Sequence, residues 1–159
     1  RKSVSVVLDG DDPLVAILAP PEDAYLRGED LIVGGTASDP TTWVESVELS
    51  IGGGAFQALE GSLGAWAYLW DLPTDGIYVL QARATDALGH VTTTPDTFSV
   101  TVDNTPPTVT LGTSVTIGQD NGQDNVQLSG SASDNLSGVA WVRLSIDEQP
   151  WRSVDAGPR

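Results

Sequence analysis

The chain repeats itself. Residues 35–59, GTASDPTTWVESVELSIGGGAFQAL, align without a gap on residues 130–154, GSASDNLSGVAWVRLSIDEQPWRSV, with nine identities over 25 positions. The shared residues include Gly35/Gly130, Asp39/Asp134, Val47/Val142, Leu49/Leu144 and Ile51/Ile146. PLVAI at 13–17 lies against PTVTL at 107–111, and SVVLD at 5–9 against SVTVD at 99–103. Self-similarity at a fixed period marks an array of like units, each burying its own apolar faces. It divides the chain into residues 1–9, the last strand of a preceding unit or an N-terminal extension; 10–103, one complete unit; and 104–159, the first part of another. The short last part reads either as a boundary of this stretch of chain or as a half domain completed by strands from another chain, as in donor-strand fibres.

Within the complete unit the apolar residues recur with period two, the signature of half-buried strands. VESVELSI sets Val47, Leu49 and Ile51 on one face; IYVLQARAT does the same with Tyr78, Leu80, Ala82 and Ala84, and TFSVTVD with Phe98, Val100 and Val102. Turn signals separate these runs at PPED, SDP, IGGG, PTDG and TPD. The pattern predicts seven short strands, over 14–18, 31–37, 44–51, 55–59, 65–71, 77–85 and 97–103. No stretch of helical length has a 3.6 period. The fold class expected is all-β, a pair of antiparallel sheets packed as a sandwich and repeated in tandem.

Three longer stretches carry a family resemblance. GTASD, AWAYLWDLPTDGIYVLQARATDALGH and VDNTPPTVTL together resemble the immunoglobulin-like repeats of large bacterial surface and secreted proteins. The resemblance implies that Tyr78 is a tyrosine corner, its hydroxyl tying the turn to backbone upstream. It places Leu80 where antibody domains have their second cysteine. His90 stands where such repeats usually show Asn, and SDPTTWV replaces a Gly-Val pattern that the second unit keeps as SDNLSGV. Modules of this kind serve as stalks, spacers, adhesins and enzyme appendages, so the resemblance speaks to fold more than to function.

Composition narrows the function classes. With 22 acidic against 7 basic residues the formal charge is −15, which repels nucleic-acid phosphates and anionic membranes and favours divalent cations where carboxylates cluster. Cysteine is absent, which removes disulfides, thiolate metal sites and thiol nucleophiles. No run of 18 apolar residues is present. Lys2 is the only lysine, so the complete unit has none from which to form a Lys–Asn isopeptide crosslink. The one histidine, His90, has no nucleophile motif around it, and short sandwich loops leave little cleft for a carboxylate pair. The expectation is no enzyme.

Three features remain as candidate sites. Trp66, Tyr68 and Trp70 share one face of the predicted fifth strand. Their alternation with Ala65 and Ala67 favours core, while a sugar-stacking platform is the alternative. Trp43, Trp141 and Trp151 sit near strand starts, in positions that suggest partial exposure. In VDNTPP, Pro106 and Pro107 end a strand and stiffen the entry to the next one. The acidic neighbours suggest a calcium-rigidified junction, loosely similar to the Asp-Asn-Pro linkers of cadherin arrays, with Asp86, Asp103, Asn104, Asp134 and Asn135 as ligands. DGDD at 9–12 and GQDNGQDN at 118–125 are further acidic candidates, the latter also reading as a hairpin around Asn121-Gly122. Asn135-Leu136-Ser137 is a glycosylation sequon, and a modified Asn135 would not ligate calcium.

The resulting expectation is a structural module, a spacer, stalk or fibre segment, at the cell surface or outside the cell. Adjacent repeats, and in a fibre neighbouring copies, are its partners; no nucleic acid or membrane contact is expected. Calcium is the one cofactor to weigh. The alternatives are an adhesion or carbohydrate-binding module, and a fibre subunit completed by a neighbour's strands.

Overall fold

The computed structural model describes residues 6–95, 98–120 and 122–154 and falls into two compact units, 1–104 and 105–159. Unit 1 contains two sheets. In the first, β1 (Leu14–Ala19), β3 (Asp30–Ser38) and β6 (Ala65–Asp71) pair antiparallel in the order β1-β3-β6. The second has the order β2-β9-β7-β4-β5, from β2 (Tyr25–Leu26), β9 (Ser99–Val102), β7 (Gly76–Asp86), β4 (Val44–Ile51) and β5 (Gln57–Ala58). β8 (Val91–Thr93) also pairs with β7, and β2 runs parallel to β9.

The core lies between the sheets, and the period-two pattern fills it. Val33 and Ala37 of β3 with Trp66 and Trp70 of β6 come from one side. Val47 and Leu49 of β4, Leu80, Ala82 and Ala84 of β7, and Val100 and Val102 of β9 come from the other. Fully burying each large side chain contributes about 2–3 kcal/mol. Five of the predicted strands match observed ones within a residue at either end; the strand expected over 55–59 shortens to two residues and that over 97–103 to Ser99–Val102. β2 and β8 were not expected. Strands of two or three residues carry no period, and each exists because a longer neighbour offers it an edge. Residues 6–9 form no strand, and Thr97 lies outside the described residues.

One position shows how closely β1 and β3 approach. A Cβ on Gly35 would stand 1.9 Å from the Ala16 carbonyl oxygen and 2.3 Å from Cζ2 of Trp66, so only glycine fits beneath the indole. Gly130, its counterpart in the repeat, meets the Thr110 carbonyl oxygen in the same way, at 2.5 Å.

Unit 2 consists of a long hairpin, β10 (Thr108–Asp120) with β11 (Gln123–Ser133), and a short one, β12 (Val142–Leu144) with β13 (Arg152–Val154). Asp120 pairs with Gln123; Asn121 of the expected Asn-Gly turn lies outside the described residues. The apolar residues Val109, Leu111, Leu128, Ala132, Val142, Leu144 and Val154 line an open groove of about 970 Å³.

Candidate functional site

The acidic residues singled out in the sequence separate in space. β7 pairs Gly76 with Val102 at one end and Asp86 with Val44 at the other. At about 3.3 Å per residue its length puts roughly 30 Å between Asp86 and Asp103. They cannot share an ion. This corrects the expected ligand set, which drew both to one junction on the strength of their places at strand ends.

Asp86 has another task. Leu80, Ala82 and Ala84 alternate inward along β7, and the same register carries the Asp86 side chain inside, fully buried. Its Oδ1 accepts from the backbone N–H groups of Leu88 and His90, both at 2.8 Å. The Nδ1–H of His90 donates to Oδ2 at 2.7 Å. Burial opposes ionisation of this carboxyl more than any other single cause. The hydrogen bonds from the His90 ring and from the backbone of His90, Leu88 and Gly89 outweigh it and hold the group below 3.8. The hydrogen bond to Asp86 in turn lifts His90 above 6.5, against desolvation and with help from the negative charges of Asp86, Asp9 and Asp12.

Two more segments reach this pole. Asp39 closes the loop after β3, its Oδ1 accepting from the N–H groups of Thr41 at 2.9 Å and Thr42 at 2.6 Å. The backbone hydrogen bond from Thr42 is the main cause that holds its carboxyl below 3.8. The Thr42 hydroxyl lies between Asp39 Oδ1, at 3.0 Å, and Asp9 Oδ2, at 2.8 Å. The Thr41 hydroxyl donates to Asp11 Oδ2 at 2.8 Å. Ligand-type atoms of Asp9, Asp86 and His90 fall within 4.8 Å of one another. Asp86 spends its oxygens on the turn and on the His90 ring, so hydrogen bonds hold this group together, and it stands apart from Asp103 at the other end of β7. Asp9 and Asp11 belong to the DGDD stretch.

At the far pole Asp103 is buried, with its N–H donating to the Leu26 carbonyl. Asn104 turns back into its own unit: Oδ1 accepts from Gly28 N–H at 2.8 Å, and its N–H donates to Asp75 Oδ1 at 2.7 Å. In unit 2, Asp134 builds the same loop as Asp39, Oδ1 accepting from Leu136 and Gly138 N–H and from the Ser137 hydroxyl. In both loops the aspartate Oδ2 is buried and has no hydrogen-bond partner among the described residues. Asn135 is exposed beside Asp134, and Pro106 and Pro107 are exposed in unit 2. Of the residues 118–125, the side chains of Asp120, Gln123, Asp124 and Asn125, and Asn121 altogether, lie outside the described part.

The aromatic stripe is core. Trp66 and Trp70 are 3% and 6% exposed, Tyr68 is half-buried against them, and Trp70 meets Tyr78 edge-on at 5.7 Å. That removes the sugar platform, because no ring face of Trp66 or Trp70 is presented to solvent. Trp43, Trp141 and Trp151 are more exposed than the expected partial exposure. Tyr78 Oη donates to the Thr74 carbonyl at 2.7 Å, four residues upstream, the geometry of a tyrosine corner.

A sequence profile described as "Bacterial Ig domain" matches residues 13–116. The chain belongs to the bacterial Ig domain family. Among solved structures this Ig chain resembles the fibronectin(III)-like modules of CbhA from Clostridium thermocellum, with a TM-score of 0.51 and 20% identity. That match covers 80% of this chain and 66% of the other. An engineered protein matches at TM-score 0.45 and 24% identity, over 57% of this chain and 20% of its own. The chain thus spans a fifth of the engineered protein and just under two thirds of the CbhA modules. No curated protein matches. Among the described residues no helix is long and apolar enough to cross a membrane.

Proposed function

We propose that this segment is a non-enzymatic spacer, part of a stalk or fibre in a protein exposed outside the cell. One observation carries the reading: unit 1 receives the chain at one pole and releases it at the other. Asp9 lies beside Thr42 and the Asp86 corner, while Asp103 follows the end of β9 opposite Gly76. A unit that passes the chain from end to end lengthens an array by its own long axis, roughly 30–35 Å per repeat. The internal repeat supports such an array. Among the described residues Asp39, Asp86 and His90, whose pKa values are shifted, are each committed to holding a turn, which fits a structural role better than catalysis. Small-angle scattering on chains of two, three and four repeats tests it. The maximum dimension is expected to grow by that length with each repeat, and a constant or globular dimension sinks the proposal.

Calcium is the finer part of the reading, with Asp86, Asp103 and Asn104 as candidates in unit 1 and Asp134 and Asn135 as candidates in unit 2. The buried, unpartnered Oδ2 of Asp134 favours it. Thermal unfolding in millimolar CaCl₂ against EDTA decides it. A ligand at about 100 times its dissociation constant adds roughly 2.7 kcal/mol to the native state, and Asp134→Ala would abolish that rise. Equal melting temperatures would rule it out.

A further inference from the structure

We propose that the open face of unit 2 takes up an extended peptide strand of alternating apolar residues that sets a carboxylate opposite Arg143. Unit 2 repeats four strands of unit 1 in the same register. Leu14 pairs with Ser38 and Ile17 with Gly35 in unit 1; Thr108 pairs with Ser133 and Leu111 with Gly130 in unit 2. Glu48 pairs with Ala58 and Leu49 with Gln57; Arg143 pairs with Ser153 and Leu144 with Arg152. The turn that joins the last two strands is also the same, the Ser50 hydroxyl donating to the Gly54 carbonyl and the Ser145 hydroxyl to that of Gln149. β10, β11, β12 and β13 are therefore the equivalents of β1, β3, β4 and β5. In unit 1 the second edge of β3 is taken by β6, and that of β4 by β7. Among the described residues nothing pairs with those edges of β11 and β12. Val142 and Leu144, which repeat the core residues Val47 and Leu49, line the open groove instead.

Charge decides which strand fits. In unit 1 Glu48 faces Arg83 across the β4–β7 pair. The guanidinium of Arg83 meets the Glu48 carboxylate at 2.8 Å and lies 4.2 Å from the centre of the Phe56 ring. In unit 2 Trp151 keeps the aromatic place of Phe56, but Arg143 stands in the place of Glu48. Its exposed side chain lies over the Trp141 ring at 4.4 Å, and among the described residues it meets no carboxylate. Arg143 and Arg152, the basic residues in the described part of unit 2, are both on the β12–β13 hairpin. Opposite charges directly across a strand pair strengthen it, and like charges weaken it. A strand in the β7 register would thus carry Asp or Glu in the place of Arg83. Small apolar residues on either side of it would meet Val142 and Leu144, as Ala84 and Ala82 meet Val47 and Leu49. Backbone hydrogen bonds along the open edge give such a strand its affinity, and its alternate side chains give selectivity. A second copy of this chain is the wrong donor, because its β7 would set Arg83 against Arg143.

The test adds peptides to the intact chain. The probe is residues 65–103, the stretch that carries β6, β7 and β9, made as it stands and with Arg83→Glu. Binding is followed by NMR shifts and hydrogen exchange at the amides of Val142, Arg143 and Leu144, which distinguish docking on unit 2 from exchange into unit 1. The Arg83→Glu peptide is expected to protect β12 and to bind several-fold more tightly than the unaltered one. Arg143→Glu in the chain should reverse that order. Since Arg143 is exposed, this substitution changes the charge and leaves the apolar face alone, and the β10–β11 amides report that the unit stays folded. Failure of both peptides to protect β12, or an order of affinities that Arg143→Glu does not reverse, overturns the proposal. Dimerisation that protects β12 without peptide would overturn it as well, since the groove would then belong to a second copy.

Discussion

Two residues show how a single atom decides a position. Gly35 is required by what is not there: a methyl group would meet both the β1 backbone and the Trp66 ring. Backbone cannot rotate aside as a side chain can, so Gly35→Ala should lower unfolding free energy by about 3 kcal/mol or more. Urea denaturation measures it, and a loss below about 1 kcal/mol would mean that β1 can separate from β3 at little cost. Asp86 is a candidate in the sequence, and the structure adds that it organises the β7–β8 turn from inside. Its inward place follows from extending the Leu80, Ala82, Ala84 alternation by one step, a signal that was present and read only as far as the last apolar residue. Spacing alone could not show that its partner would be His90, because the turn that returns the ring to the carboxylate depends on the Leu88 and His90 amides.

At the level of elements the β7–β8 turn ties stability to pH. His90 is raised above 6.5, so its contribution is complete below 6.5 and disappears as pH climbs through the raised value. Asp86 and Asp39 are depressed below 3.8, so theirs is complete above 3.8 and disappears as pH falls through the lowered values. Melting temperature should therefore peak between 3.8 and 6.5 and decline on both sides. His90→Gln should flatten the alkaline limb relative to wild type and leave the acid limb, a comparison that also cancels the general repulsion of the −15 surface. Equal alkaline limbs in the two proteins would contradict the assignment. The long strands β4, β6 and β7 were legible because each offers at least seven residues of alternation. β2 and β8 were not, since pairing creates them.

At the scale of the molecule, the two units differ in what covers them. Val47 and Leu49 are buried in the core between the two sheets of unit 1, whereas their counterparts Val142 and Leu144 line an open groove. Unit 2 should unfold first in calorimetry. Val47→Asp, which buries a charge, should cost unit 1 more than about 4 kcal/mol, while Val142→Asp should move only the first transition and by about 1 kcal/mol. A single transition shifted equally by both variants would mean that the units unfold as one. The sequence by itself determined the repeat, the all-β class, the core face of each long strand and the absence of thiol chemistry, because these depend on residue order and type along a strand. Only the tertiary structure decided that Asp86 and Asp103 stand at opposite poles, that Trp66 and Trp70 face inward, and that Asp9, Asp39, Asp86 and His90 share one corner. Those facts depend on which strand ends lie side by side, and sheet pairing sets that between residues far apart in the chain.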